Sequence, residues 1–410
     1  MGVQSPSTLS THVFIQIQGS SAGKCSFTVF ATDGYGKRWT MARDLSVFEL
    51  HPANSRNFEF LRNICQSTPL SYCESTCSSC SPIEELLNAF SSCDVSRIIN
   101  KMMILEKTTA MDSIRQDLRL TTIVVTIVSI ITYLMVSAVG NNSVVLKEYS
   151  AVLYCAVICI GIQWVAWIPA SIGKTERFYD LTGGLTYLTV VGFSLWAGSQ
   201  SEPPSSRELI VSLLVVIWSL RLSSFLYFRI HRTGKDGRFD HLKTSPIRFL
   251  VPWTLQGLWV FLTMIVVIVI NSQADSASAL GVWDGIGLSI WILGFGIEAI
   301  ADHQKKVFNA ESKNQGKWID SGLWSYSRHP NYLGEILLWT GIAFFGVSCF
   351  TGLERFAWIS PVFIYVLLTK ISGIPILDKR SLEKWGDNPE YQKYRDNTPA
   401  LMPRLNKKSN

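Results

Sequence analysis

The chain has 410 residues, 48% of them hydrophobic and only 17% charged, with 14 tryptophans and a mean hydropathy of +0.22. That composition excludes a string of ordinary soluble domains and fits a chain that meets lipid along much of its length. The net charge of +6 is modest, and no basic helix or basic-aromatic strand stands free of the apolar segments, which argues against a nucleic-acid partner.

Residues 1–115 read as an N-terminal extension, poorly structured or concerned with targeting, and residues 116–410 as a transmembrane domain. The extension is rich in Ser, Thr and Cys and shows no sustained helical or strand periodicity. Gly2 fails as a myristoylation site because Pro6 stands where Ser or Thr is needed. Cys73, Cys77 and Cys80 have the spacing of part of a zinc site, but no second ligand pair follows, and plain thiols are the simpler account. The nine cysteines form no disulfide framework and suit a reduced, cytosolic setting. Met111 is a plausible alternative start.

From residue 121 onward, uncharged or nearly uncharged runs recur at 121–140, 149–172, 181–196, 209–228, 249–270, 279–300, 332–349 and 356–377. Most approach the ~20 residues that cross ~30 Å of hydrocarbon as a helix. Continuous apolar runs select helices over a barrel. The expected fold is therefore an all-α, polytopic membrane helix bundle of about eight spans, or seven if one of the short third and seventh runs does not cross. The loops after the second, fourth and sixth runs, with the C-terminal tail, carry most of the Lys and Arg. The alternate loops carry only Lys147, Arg207 and Arg355. The positive-inside rule then places both termini in the cytosol. The terminal Lys407-Lys408-Ser409-Asn410 resembles a dilysine retrieval signal and points to the endoplasmic reticulum.

Charges inside the apolar runs are Arg221, Asp284, Glu298, Glu335 and Lys370. They are functional candidates because a charge in lipid is costly. Glu298 and Asp302 are four apart and share a helix face, with Lys305 just beyond. A helix leaving the membrane explains Asp302 onward but not Glu298, which lies a turn inside. Snorkelling to the membrane edge is the plain account of Arg221, yet it lies about two turns from Arg229, and a buried partner is the better one. Glycines 281, 285, 294 and 296 permit close helix packing. Gly294-Phe-Gly296 matches a dinucleotide fingerprint only on paper, since no strand precedes it.

The densest polar cluster is Ser321-Gly-Leu-Trp-Ser-Tyr-Ser-Arg-His-Pro-Asn-Tyr-Leu-Gly-Glu335. Arg328 and His329 suit nucleotide phosphates, Asn331 and Tyr332 a flat heterocycle or ribose, and Glu335 shares a face with Asn331. Pro330 is a natural first residue of a helix.

This stretch resembles the C-terminal signature of the steroid 5α-reductase-like membrane superfamily. Other segments resemble an uncharacterised branch of it: Glu176 to Tyr187, Trp218-Ser-Leu-Arg221, Gly234 to Asp240, Trp253 to Trp259, Ala301 to Lys305, and the tail from Lys384 to Tyr394. The resemblance covers roughly residues 121–405. It implies NADPH in a cytosol-facing cavity, with Arg221, Asp302, Asn331, Glu335 and Tyr394 matching residues of those enzymes and Glu298 standing where they often have Asn; Lys305, Arg328 and His329 join these as candidate cofactor-binding residues, with no metal. It also implies a departure, since those reductases carry a carbonyl-polarising tyrosine where this chain has Trp218. Their early-helix glutamate finds only Gln163.

The reading is an NADPH-dependent reductase of a carbon–carbon double bond conjugated to a carbonyl, acting on an apolar lipid or steroid from the bilayer. Tyr187, Tyr326 and Tyr332 are the candidate hydrogen-bond donors and Asp180 an orienting or proton-supplying group. A second class is methyl transfer, because isoprenylcysteine and phospholipid methyltransferases share Arg-His-Pro-x-Tyr-x-Gly, here Arg328 to Gly334, and hold S-adenosylmethionine with it. They place two adjacent acids before the tail, whereas here Asp378 is followed by Lys379 and Arg380. A third class is a non-catalytic sterol-binding protein. Six scattered histidines build no di-iron site.

Overall fold

The computed structural model describes residues 12–19, 25–32, 38–41, 95–233, 236–273 and 279–403. Gly2, Cys73, Cys77, Cys80, Gly234, Lys407 and Lys408 lie outside the described residues. The chain forms two compact units, residues 1–113 and 114–410.

In the first unit, β1 (His12–Gly19), β2 (Cys25–Thr32) and β3 (Arg38–Met41) make an antiparallel sheet in sequential order, with His12 opposite Thr32 and Gly19 opposite Cys25. This corrects the expectation of no strand periodicity before residue 110. Val13, Ile15 and Ile17 do alternate with Phe14, Gln16 and Gln18, but over eight residues in a Ser/Thr-rich background.

Helix α1 (Val95–Val139) begins ahead of the apolar run it carries. A two-strand hairpin, β4 (Val145–Leu146) and β5 (Tyr149–Ser150), leads into α2 (Ala151–Ile172). Then come α3 (Tyr179–Gly198), α4 (Ser206–Thr233), α5 (Pro246–Ser272), α6 (Val282–Ala310) and α7 (Pro330–Phe345). Among the described residues, six stretches are long and apolar enough to cross a membrane: 111–139, 151–172, 206–230, 246–272, 282–310 and 353–385. Helices α3 and α7, at 20 and 16 residues, run between the same two ends of the bundle. They are the third and seventh apolar runs. The protein is a multi-pass helical membrane bundle.

The last run is not one helix. A 3₁₀ turn (Leu353–Trp358), α8 (Ile359–Val366) and a π turn (Leu367–Ile371) precede α9 (Ile374–Trp385), and α10 (Pro389–Asn397) follows. The break sits at Gly373, where a Cβ would lie 2.3 Å from the Leu368 carbonyl oxygen, followed by Pro375 in the first turn of α9.

Helix α5 is the centre: 89% of its apolar window is buried, against 11% for α1. Neighbouring helices reach it through glycines. A Cβ on Gly257 would sit 3.0 Å from the Cys159 carbonyl oxygen on α2, and one on Gly198 of α3 would strike the Asn271 carbonyl at 1.9 Å. Helices α6 and α7 pack most closely, because Gly287 faces Gly341 and Gly294 faces Gly334. A Cβ at any of the four would come within 2.7 Å of backbone across the interface. Of the four glycines expected to pack, only Gly294 does. Gly285 and Gly296 have nothing within 4 Å of a Cβ, and the Gly281 amide donates to Asp284 at 2.8 Å to cap α6.

The loops sort to two ends. At one, buried Glu176 accepts from the Asp236 amide (2.9 Å) and from Lys243 (3.0 Å), pinning the α4–α5 loop, and Arg248 pairs with Asp117 (2.8 Å). The hydrogen bonds that Lys243 donates to Asp240 and Glu176 raise its pKa. At the other, Val144 donates to the Ser272 carbonyl (2.7 Å), Asn142 to Glu354 (2.6 Å), and Arg207 grips Asp284 through two bonds of 2.7 and 2.9 Å. Arg207 and Asp284 are both buried, an ion pair that the charges read singly had not suggested.

The glycine contacts make a paired prediction. Gly334→Ala puts a methyl 2.6 Å from the Glu298 amide nitrogen and should lower the melting temperature in detergent by the equivalent of about 1–3 kcal/mol. Gly296→Ala meets open space and should be neutral or stabilising. Equal effects from the two would refute the α6–α7 packing.

Candidate functional site

The close approach of α6 to α7 brings Glu298 and Asp302 beside Asn331 and Glu335, and Arg221 of α4 completes the group. Arg221 forms an ion pair with Glu298 and a second, at 3.0 Å, with Asp302. Glu298 and Asp302 are buried. Trp218, one turn before Arg221, donates its indole N–H to Glu298 Oε2 at 3.2 Å. The Arg221 guanidinium also lies 5.5 Å from the Phe295 ring centre. Asn331 and Glu335 lie close enough to Asp302 to act on its carboxyl group, and Glu335 also to Glu298. Three carboxyl groups thus surround one guanidinium. Such a cluster is held only by its own pairing, since lipid supplies no counter-charge.

Beyond Asp302 the site opens into a cavity of about 260 Å³ between the end of α6, the 321–329 loop and the C-terminal helices. Lys305, Lys317, Arg328, Arg380 and Lys384 line it, with Trp318, Trp324, Trp385, Tyr391 and Tyr394. Asp378 is the one acid on its wall, and Arg328 (2.7 Å) and His329 (3.4 Å) engage it. Lys305 joins cluster and cavity, lying 4.5 Å over the Trp324 ring and within electrostatic reach of Asp302. Burial pushes the His329 pKa down against the pull of Asp378, so the ring is biased toward its neutral form.

Several expected roles turn out to be structural contacts. Arg328 also donates from Nε to the Thr398 carbonyl (3.1 Å), its amide donates to the Pro399 carbonyl (2.9 Å), and Tyr394 donates to the Trp324 carbonyl (2.8 Å). These bonds tie the tail to the loop, so Arg328 is engaged by protein rather than held ready for a phosphate. Tyr332 stacks on His329 at 5.5 Å. Tyr187 is buried with its ring 5.0 Å from Trp218, one contact away from Glu298. Asp180 stands apart and pairs with Arg229 at 3.4 Å, while Tyr326 is 43% exposed on the loop. Gln163 donates to Thr186 at 2.9 Å. Sequence reasoning missed Trp218 as a partner of Glu298, and it missed Lys317, Trp318, Arg380, Lys384 and Trp385 as cavity walls. The alternation of cations and aromatics in the tail was the available signal.

A bundle with a buried ionic cluster and a cation-lined cavity at one end defines a multi-pass helical membrane protein. Residues 166–398 match the family described as "Protein of unknown function (DUF1295)", and the chain belongs to that family. An uncharacterised protein of Schizosaccharomyces pombe is 28% identical over 232 residues, 49% of this chain and 64% of that protein. The chain thus covers less than two thirds of that relative. No solved structure matches.

The cluster makes its own prediction. Arg221→Met leaves two buried carboxylates without a cation and should destabilise by about 3–5 kcal/mol. Adding Glu298→Gln should recover part of that loss, read as thermal midpoints in detergent. A double variant no more stable than Arg221→Met would show that Arg221 and Glu298 do not share a buried charge balance.

Proposed function

We propose that the chain is an NADPH-dependent membrane reductase of a carbon–carbon double bond conjugated to a carbonyl, acting on an apolar lipid or steroid. The observation that carries this reading is the junction at Lys305 of a cation- and aromatic-lined cavity with a buried cluster of Arg221, Glu298, Asp302, Asn331 and Glu335. The donor set fits a phosphorylated dinucleotide. Lys317, Arg380 and Lys384 would meet phosphates, and Trp318 and Trp385 a planar base. Asn331 and Glu335 would hydrogen-bond the nicotinamide end. At about 260 Å³ the cavity is just below the usual ~300–1,000 Å³ of ligand pockets, so it would take one part of the dinucleotide, with the rest directed toward the cluster. When bound, NADPH supplies the hydride. The protein's share is to orient it, to exclude water, and to place a hydrogen-bond donor where charge develops on the substrate oxygen. The resemblance to steroid 5α-reductase-like proteins supports the same reading.

The methyl-transfer reading is less favoured because a sulfonium seeks acids, and the single wall acid, Asp378, is occupied by Arg328 and His329. The basic loops support both termini facing the cytosol, and the Lys407-Lys408 pair supports an endoplasmic-reticulum address.

NADPH at a hundredfold excess over its dissociation constant should stabilise the detergent-solubilised protein by about 2.7 kcal/mol, while S-adenosylmethionine leaves the midpoint unchanged. Stabilisation by S-adenosylmethionine alone reverses the assignment. For orientation, cysteines introduced at Lys243 and Lys313 should label from the cytosolic face of sealed microsomes, and one at Glu202 should stay protected. Labelling of Lys243 and Lys313 from opposite faces would contradict the orientation.

A further inference from the structure

The charges gathered around Arg221 do not balance. Arg221 pairs with Glu298 and Asp302, and Trp218 gives its N–H to Glu298 as well. Lys305 acts on Asp302 from the cavity side. Glu335 lies close to Asp302, Glu298 and Arg221, yet among the described residues it forms no hydrogen bond or ion pair. Tyr187 of α3 and Tyr332 of its own helix are its other titratable neighbours. Arg229 and Arg238 reach Tyr332, but each has an acid of its own, Asp180 at 3.4 Å and Asp236 at 2.5 Å.

Three carboxyl groups therefore share two cations, Arg221 and Lys305, and one carboxyl is in excess. A buried carboxylate without a counter-charge is costly enough that the group holds a proton instead. Glu298 and Asp302 must stay anionic to hold Arg221, which leaves the proton to Glu335. Accessibility singles out the same residue. Glu298 and Asp302 are only 3% and 7% exposed, whereas Glu335 is half-buried, so of the three it is the one that open space reaches.

We propose that Glu335 carries a proton in the resting site and gives it to the α-carbon of the substrate double bond, as the charge partner of the nicotinamide ring. The inference rests on the reductase reading and supplies its proton donor. In that step Glu335 breaks its O–H bond, and the electrons of the carbon–carbon π bond form the new C–H bond at the α-carbon. The hydride from NADPH goes to the β-carbon. Loss of the hydride leaves a positive charge on the nicotinamide, and loss of the proton leaves a negative one on Glu335. The two charges arise side by side, so a site closed to water gains no net charge during the reaction.

The test is proton release on nucleotide binding, measured calorimetrically for the full-length protein in detergent, in buffers of different ionisation enthalpy. NADP+ and NADPH carry the same phosphates, so the difference between them isolates groups beside the ring. Near neutral pH, NADP+ should release up to about one proton more than NADPH, and its affinity relative to NADPH should fall by up to about tenfold per pH unit of acidification. Glu335→Gln should abolish both effects. Glu335→Asp keeps a titratable carboxyl and should retain both with a shifted pH midpoint. Equal proton release by the two nucleotides, a difference that survives in Glu335→Gln, or an unmoved midpoint in Glu335→Asp overturns the assignment. The Asp variant decides the matter if Glu335→Gln does not fold. Binding of neither nucleotide to the unaltered protein overturns the reductase reading, and the proton donor with it.

Discussion

The arrangement of the bundle turns on one guanidinium, that of Arg221, held by two carboxylates inside a region where lipid supplies no counter-charge. An unpaired Glu298 or Asp302 at that depth would be too costly to keep, so α4 and α6 must lie where their side chains can meet. The Arg207–Asp284 pair repeats the constraint. Both pairs join residues 77 apart in sequence, and each member of one lies 14 residues from its counterpart in the other. Two parallel helices are thus cross-tied at points about 21 Å apart along their axes. Sliding or tilting of α4 against α6 would break one tie or the other.

Cross-ties of long side chains do not bring backbones together, and among the described residues no ion pair joins α7 to α6. Its approach depends on absent side chains instead. Gly287 with Gly341, and Gly294 with Gly334, let the two backbones touch at heptad spacing, and Gly334 sits directly against the Glu298 amide. That is what carries Asn331 and Glu335 to the Arg221 cluster. In lipid, where apolar burial between helices gains little, such contacts are a main source of packing energy. The acid–arginine group is therefore assembled by two means, charge pairing on one side and backbone contact on the other.

Much of this was legible in the sequence and some was not, for identifiable reasons. The apolar runs announced helices α1 to α7, because about twenty uncharged residues have few other uses, but not the break-up of the last run at Gly373 or the two helices of the tail. Glu298, a turn inside its run, announced a partner, and Arg221 was the cation at a matching depth. Asp284 and Arg207 were readable as costly charges, yet their pairing was hidden, since Arg207 looked like an ordinary loop cation at the end of a helix. Gly281, Gly285 and Gly296 looked as useful as Gly294, because which glycine faces a neighbour depends on helix rotation and not on composition. Asp180 and Tyr326 were grouped with the site by residue type, and the fold directs them elsewhere.

The least legible part was the division of labour in the Arg328–Glu335 stretch. Read along the chain, its Arg, His, Asn, Tyr and Glu look like one binding motif. In space they part at Pro330, the first residue of α7. The residues before it, Arg328 and His329, hold Asp378 while Arg328 also holds the Thr398 and Pro399 carbonyls. Those after it, Asn331 and Glu335, face the Arg221 cluster. The first half builds the cavity by lining it and by anchoring the tail whose Arg380, Lys384 and Trp385 form its wall, and the second half belongs to the cluster. A substitution at Arg328 therefore acts on any ligand of that cavity through the tail, by releasing a wall, whereas one at Asn331 acts through the cluster itself. A short motif can thus divide between two structural tasks that its sequence does not separate.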